Sequence, residues 1–264
     1  MSRNFELLRQ VGRGFAVPST PQPVRRSSEP SIPQPIRMSS ESREKAHPNG
    51  TGLNLGQVAR EEASRLVQQI FLSSGPKAPR AVLFAGIDQG VGCSQICLLA
   101  AETLRSTVSG SICLVEANLR SPSLPGMLGT TNHHGLTDAM IQDGSIRCFA
   151  RPLEIDNVWF LSCGSLSSDS LNFLNSDRLK ARFEELRAEF DYLLVDAPSL
   201  SRYADATSLG RLTDGLVLVL EANSTRKETA LMVMESLRAA QIKVLGAVLN
   251  KRTFPIPESL YRRL

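Results

Sequence analysis

Pairs of the Cys-x-x-Cys type are absent from this sequence. Its five cysteines (Cys93, Cys97, Cys113, Cys148, Cys163) are too few and too irregularly spaced for a disulfide framework. That argues against zinc and for reduced, cytosolic thiols, most of them in a core. No apolar run approaches the ~18 residues needed to cross a bilayer, so the chain is expected to have no transmembrane segment of its own. The N-terminus carries Arg3 and Glu6 and lacks the apolar stretch of a signal peptide. Strong charge is lacking too. The net charge is +4, and residues 1–56 hold 8 basic against 4 acidic side chains, so that stretch carries the whole excess. The neutral remainder offers no footprint for nucleic acid.

What is present divides the chain in three. Residues 1–56 are rich in Pro, Ser and Arg (Pro18, Pro21, Pro23, Pro30, Pro33, Pro35) and read as a disordered tail that cannot bury enough apolar surface to order itself. The tail is either a solvated linker or a basic contact for acidic lipid or a partner. Within it, residues 4–10 form a short amphipathic patch, either a helix that docks or a frayed end. Residues 57–252 alternate unbroken apolar runs with amphipathic stretches, and the chain is 42% apolar, enough for one core. Residues 253–264 read as a C-terminal tail or a short helix entered at Pro257, with Tyr261 as a phosphosite or docking tip.

The apolar runs are Ala81–Ala85, Ile112–Val115, Val158–Ser162, Tyr192–Val195, Leu216–Leu220 and Val244–Asn250, with helices expected over 55–72, 96–107, 136–141, 176–190 and 225–240. Unbroken apolar strands alternating with helices mean an α/β fold with a mostly parallel sheet covered on both faces. In such sheets the site lies at the carboxyl ends of the strands. Gly90, Gly92, Ser94, Glu116, Asn118, Asp196 and Asn250 all fall there.

The chain is organised around the stretch from Ala81 to Gln95, which reads as strand, glycine-bearing turn and helix. Glycines allow a tight turn that presents backbone N–H groups, and the helix N-terminus adds positive potential. A P-loop wants Lys before its Ser/Thr. Here Cys93 precedes Ser94. The phosphate-binding stretch would then be Gly90, Val91, Gly92, Cys93, Ser94 and Gln95. Ser94 and Asp196 would hold Mg²⁺, with Asp196 as a Walker-B aspartate. Cys93 is either an inert small residue or a thiol activated by the helix N-terminus. A dinucleotide fingerprint is the rival reading of Gly90, Gly92 and Glu116, but Gln95 stands where the third glycine belongs. His133 and His134 fall in a loop and read as solvent-exposed residues without a metal.

Several motifs in one order carry a resemblance. They are Glu62-Ala63-Ser64-Arg65, Gly90-Val91-Gly92-Cys93-Ser94, the stretch from Leu114 to Pro122, Gly135-Leu136-Thr137-Asp138, the stretch from Phe190 to Pro198, Asp205-Ala206, Thr213-Asp214-Gly215 and the stretch from Val244 to Lys251. Together they resemble the bacterial tyrosine kinases of capsule and exopolysaccharide biosynthesis, of the CpsD/CapB kind, relatives of the MinD/ParA ATPases with a deviant Walker A motif. The resemblance implies a P-loop NTPase fold, ATP or ADP with Mg²⁺ as cofactors, and Asn250 facing the adenine. It also implies a Wzz-like polysaccharide co-polymerase in the membrane as partner, a homo-oligomer formed through the Glu62/Arg65 helix, and a cytoplasmic place peripheral to the inner membrane.

The departures fall on the chemistry. Cys93 replaces the Walker lysine, and the two acids of the second motif are Glu116 and Asn118. Gln68 stands where a second arginine is expected, and the C-terminal stretch has one tyrosine, Tyr261, in place of a cluster. The expectation is a degenerate, pseudokinase-like protein acting by association, its catalysis weak or lost. The alternatives are an active ATP-dependent tyrosine autokinase, with Glu116 as base and Asp196 on the metal, or a MinD/ParA-like ATPase switch.

Overall fold

A computed structural model describes residues 55–72, 75, 78–166 and 170–252. The expected helix at 4–10, the Pro-rich tail up to residue 54 and the C-terminal stretch with Tyr261 lie outside the described residues. Seven strands form one sheet: β1 (Ala81–Gly86), β2 (Ile112–Glu116), β3 (Arg151–Pro152), β4 (Val158–Leu161), β5 (Tyr192–Ala197), β6 (Gly215–Glu221) and β7 (Val244–Asn250). Their order across the sheet is β3-β4-β2-β5-β1-β6-β7, and every pairing is parallel except β3 with β4.

The runs of β1, β2, β5 and most of β6 form strands because both of their faces are buried. β7, at the end of the sheet order, is half-buried to exposed, so the expected cover on both faces does not extend to it among the described residues. All six residues of β1 and all five of β2 are buried. Alternate residues feed two cores. Val82, Phe84, Leu114 and Leu194 pack against α1 (Leu55–Val67), α2 (Cys93–Arg105) and α3 (Leu124–Met127). Leu83, Ala85, Val115 and Val195 pack against α4 (Leu136–Ile141), α5 (Asp177–Glu189), α6 (Asp205–Gly210) and α7 (Lys227–Ala239). The α5 helix starts where the Ser176 hydroxyl accepts from the Leu179 N–H at 3.2 Å, with Asp177 in its first turn.

The structure adds elements that the apolar pattern does not announce. They are the short helices α3 and α6, the 3₁₀ turns Ile146–Phe149 and Ser170–Asn175, and β3. β3 is an antiparallel edge strand of two residues, one of them Pro152, which suits an edge because it donates no ladder hydrogen bond. The 55–72 helix closes with a π turn over Gln68–Leu72, which buries Ile70 and Phe71.

Candidate phosphate-binding site

A sharp turn lies between β1 and α2. Gly90 (φ +82°) and Gly92 (φ +88°) both take left-handed backbone conformations, and Gly92 caps α2. A side chain at either would be strained, and at Gly92 it would also run into the Asn250 amide. That turn opens on a cavity of about 320 Å³. The loop from Asp88 to Gln95 forms one wall, and Asn118, Ser121, Ser123, Met127, Ala197 and Ser199 form the others. Among the described residues that line it there is no lysine or arginine, while Asp88 is there.

Below the loop lie three acceptor-bearing side chains. Ser94 Oγ donates to Asp196 Oδ2 in a short hydrogen bond. Asp196 is fully buried, and its Oδ1 has no conventional partner among the described residues. The Cys93 thiol, a weak donor, is turned toward the same carboxylate. Burial raises the Asp196 pKa above the ordinary aspartate value, against the pull of Ser94. Glu116, one strand over, is equally buried, and its pKa is raised by burial first and by the Asp196 charge second.

Glu116 is also spoken for. Its Oε2 accepts from the Ser123 and Leu124 N–H groups, both at 2.9 Å, and its Oε1 from the Asn118 N–H at 3.2 Å. Those bonds fold the segment after β2 back over the strand end and cap α3. Asn118 is spent in the same turn: its Oδ1 accepts from the Ser121 N–H at 3.1 Å and its Nδ2 donates to the Ser121 carbonyl at 3.0 Å.

The reading of Cys93 as an activated thiol is corrected here. The helix N-terminus favours a thiolate, but burial and the neighbouring Asp196 charge oppose it, and the thiol pKa is raised well above its ordinary value. Cys93 is therefore a protonated, poorly nucleophilic group.

The oxygen donors fit a hard divalent cation. Ser94 Oγ and Asp196 are in contact, Oδ1 has no conventional partner among the described residues, and carboxylate and hydroxyl oxygens suit Mg²⁺. Bound there with a nucleotide, Mg²⁺ would neutralise phosphate charge. For the phosphates themselves the fit is partial. Turned glycines supply N–H groups, but among the described lining residues there is no side-chain cation.

The other sequence-derived positions are placed as follows. Gln95 is exposed and borders the cavity. Asn250 is outside the lining, and its Nδ2 donates to the Val91 carbonyl at 2.9 Å. Glu62 and Arg65 pair with each other at 2.8 Å on the exposed face of α1. Arg120 forms a two-pronged ion pair with Asp205, at 2.5 and 3.3 Å, and stacks over the Tyr203 ring at 4.1 Å. His133 and His134 are exposed, and among the described residues no His/Cys/Asp/Glu group could hold a metal on its own. No described helix is long and apolar enough to cross a membrane.

Sequence reasoning missed the loop after β5. There Ser201 Oγ donates to Asp88 Oδ1 at 2.9 Å and Arg202 donates to the Gln89 side chain at 3.0 Å. It also gave no role to Lys251, whose Nζ donates to the Gly90 carbonyl at 2.7 Å. Neither carries a local signal, since a polar loop and a strand-end lysine look like solvent contacts.

No family model matches the chain. Among curated proteins, tyrosine-protein kinase YwqD of Bacillus subtilis is 30% identical over 139 residues, which is 53% of this chain and 59% of YwqD. The succinoglycan biosynthesis transport protein ExoP of Rhizobium meliloti is 28% identical over 141 residues, 52% of this chain and 18% of ExoP. The tyrosine-protein kinase wzc of Salmonella typhi is 25% identical over 170 residues, 64% of this chain and 23% of that protein. The chain thus spans little more than half of YwqD and a smaller part of the other two. Among solved structures, the chimerical protein CapA2B2 superposes with a TM-score of 0.68 at 18% identity, over 74% of this chain and 85% of that one. The septum site-determining protein MinD of Pyrococcus horikoshii, complexed with Mg-ADP, does so with a TM-score of 0.56 at 18% identity, over 70% and 76%. By sequence, then, this chain is similar over part of its length to bacterial tyrosine-protein kinases and to a succinoglycan biosynthesis transport protein, and its fold is the mostly parallel P-loop NTPase fold seen in CapA2B2 and MinD.

Proposed function

We propose that this chain is a degenerate kinase-like component of bacterial exopolysaccharide or capsule biosynthesis. It regulates polymer assembly or export by associating with a Wzz-like polysaccharide co-polymerase at the cytoplasmic face of the membrane. Phosphoryl transfer in it is weak or lost. The relatives support the setting: they include named tyrosine kinases and a succinoglycan biosynthesis transport protein. One observation carries the degeneracy. The cavity framed by the glycine loop has Cys93 where a lysine would meet the β/γ-phosphates, and its lining among the described residues holds an acid, Asp88, and no cation. Losing one preorganised electrostatic group typically costs about 10²–10³ in rate. Asn118, locked onto Ser121, adds no second carboxylate.

In this reading ATP or ADP with Mg²⁺ binds weakly, and the protein works through its surface. The exposed Glu62 and Arg65 on α1 are the contact for self-association. A second reading, an active ATPase or tyrosine autokinase, draws support from the Ser94–Asp196 contact and from the acid beside it, Glu116. As a base, Glu116 would first have to release its backbone donors.

Calorimetric titration with Mg-ATP, on the wild type and on Cys93→Lys, separates the two. Binding restored only by Cys93→Lys supports the degenerate reading. Tight, Mg²⁺-dependent binding by the wild type, followed by phosphate release or labelling of Tyr261, sinks it.

A further inference from the structure

Residues 250 and 251 both reach the glycine loop from the end of β7. In an extended strand consecutive side chains point to opposite faces, so one of the two should point away. Lys251 does not, because it takes a left-handed conformation (φ +54°), uncommon for a residue with a side chain. Strain of that kind persists where surrounding contacts hold it. Here the contacts are the Gly90 carbonyl, 2.7 Å from Lys251 Nζ, and Glu221 Oε2 at the end of β6, 3.1 Å away. Asn250 Nδ2 takes the next carbonyl, that of Val91, at 2.9 Å. Two successive loop carbonyls are thus held by two successive side chains.

The peptide plane turns this into a statement about donors. In a trans peptide the N–H points opposite to the C=O of the same unit. Fixing the Gly90 carbonyl on Lys251 therefore aims the Val91 N–H away from β7, and fixing the Val91 carbonyl on Asn250 does the same for the Gly92 N–H. Val91 and Gly92 both border the cavity. Backbone N–H groups are what a glycine loop offers an anion, and this loop has no lysine of its own to organise them.

We propose that Lys251 is a positioning residue of the glycine loop, a cation reaching in from β7 that pins the Gly90 carbonyl outward and so presets the N–H cradle on the cavity side. The use of that cradle by a nucleotide's phosphates rests on the reading given under Proposed function.

The test is amide hydrogen exchange of the ligand-free full chain, read at Val91 to Ser94, in wild type, Lys251→Met and Lys251→Arg. Lys251→Met should exchange at least tenfold faster in the loop with β5 unchanged, and Lys251→Arg should stay within about threefold, since it keeps the charge and donors. Unchanged exchange in Lys251→Met overturns the proposal, as does an arginine variant as fast as the methionine one. Titration with Mg-ADP in the wild-type and Cys93→Lys backgrounds then reads the consequence. Adding Lys251→Met should weaken binding at least tenfold in whichever background binds, and unchanged affinity overturns the role. Faster exchange with no binding in either background keeps the clamp and removes the nucleotide reading alone.

Discussion

Glu116 on β2 and Asp196 on β5 are register partners at the carboxyl ends of adjacent strands, and both are inaccessible to water. Two carboxyls side by side in so dry a place do not ionise independently. Three backbone N–H groups favour the charged form of Glu116, yet burial outweighs them and lifts its pKa to about 8 from an ordinary 4.5.

A pH dependence of stability follows. The folded chain keeps a proton on Glu116 that the unfolded chain releases near pH 4.5. This contribution to stability is complete below that pH and is lost as pH rises through about 8. Asp196, raised to about 6 from 3.8, acts with the same sign in a lower window. Urea unfolding of the metal-free protein should show a falling midpoint between pH 5.5 and 8.5, amounting to a few kcal/mol at most. Glu116→Gln cannot ionise and should flatten that slope. A slope equal to wild type would show that other groups set it.

Ser94→Ala tests the other contact of the pair. It removes the hydroxyl donor to Asp196 and leaves a buried carboxyl with the Cys93 thiol, the Ala197 N–H and the Glu116 carboxyl as its polar neighbours. The expected cost at neutral pH is about 1–3 kcal/mol, smaller at pH 4, where Asp196 is protonated. Denaturant melts at the two pH values check it, and an equal cost at both would mean that the hydroxyl matters for packing alone.

The fit between Gly92 and Asn250 is testable as a double-mutant cycle. Gly92→Ala forces a side chain into a left-handed conformation, at about 1–2 kcal/mol, and drives the new methyl into the Asn250 amide. Asn250→Ala removes that amide and frees the Val91 carbonyl. The double variant should lose at least about 1 kcal/mol less than the sum of the singles. Strict additivity of the thermal melts would show that the two positions do not touch.

How much of this was legible in the sequence depends on where the physical signal sits. β1, β2, β5 and β6 announce themselves because burial on both faces demands unbroken apolar runs, while β7 has such a run although its residues are half-buried to exposed. Glu116 and Asp196 stand out because each ends or interrupts such a run, and Ser94 because it follows the glycine turn at the start of a helix. The short helices α3 and α6 leave no period long enough to read, and β3 is two residues held by its neighbour. Charged residues are the hardest. Lys251 and Arg182 look like solvent-facing side chains until tertiary contacts place carbonyl groups against them.

Arg182 gives the last prediction. On the sequence it sits beside the buried Phe183 in α5 and reads as the polar side of that helix. In the fold it is 5% exposed. Its guanidinium donates to the carbonyls of Ala139 (2.9 Å), Gln142 (2.7 Å) and Gly144 (2.8 Å), at and beyond the end of α4, and pairs with Glu185 at 2.8 Å. It thus meets the unpaired carbonyls of a helix C-terminus with the charge sign the helix dipole favours. Arg182→Met preserves much of the stem's packing but strips the donors, so the cost should come from orphaned carbonyls, not from Glu185, which remains partly hydrated. We expect about 3 kcal/mol, a fall in melting temperature of about 6–12 °C for a domain of this size. Arg182→Lys should recover less than half, because a single ammonium cannot reach three carbonyls held by a planar fork. A lysine variant as stable as wild type would show that charge alone, not the fork, holds α4 in place.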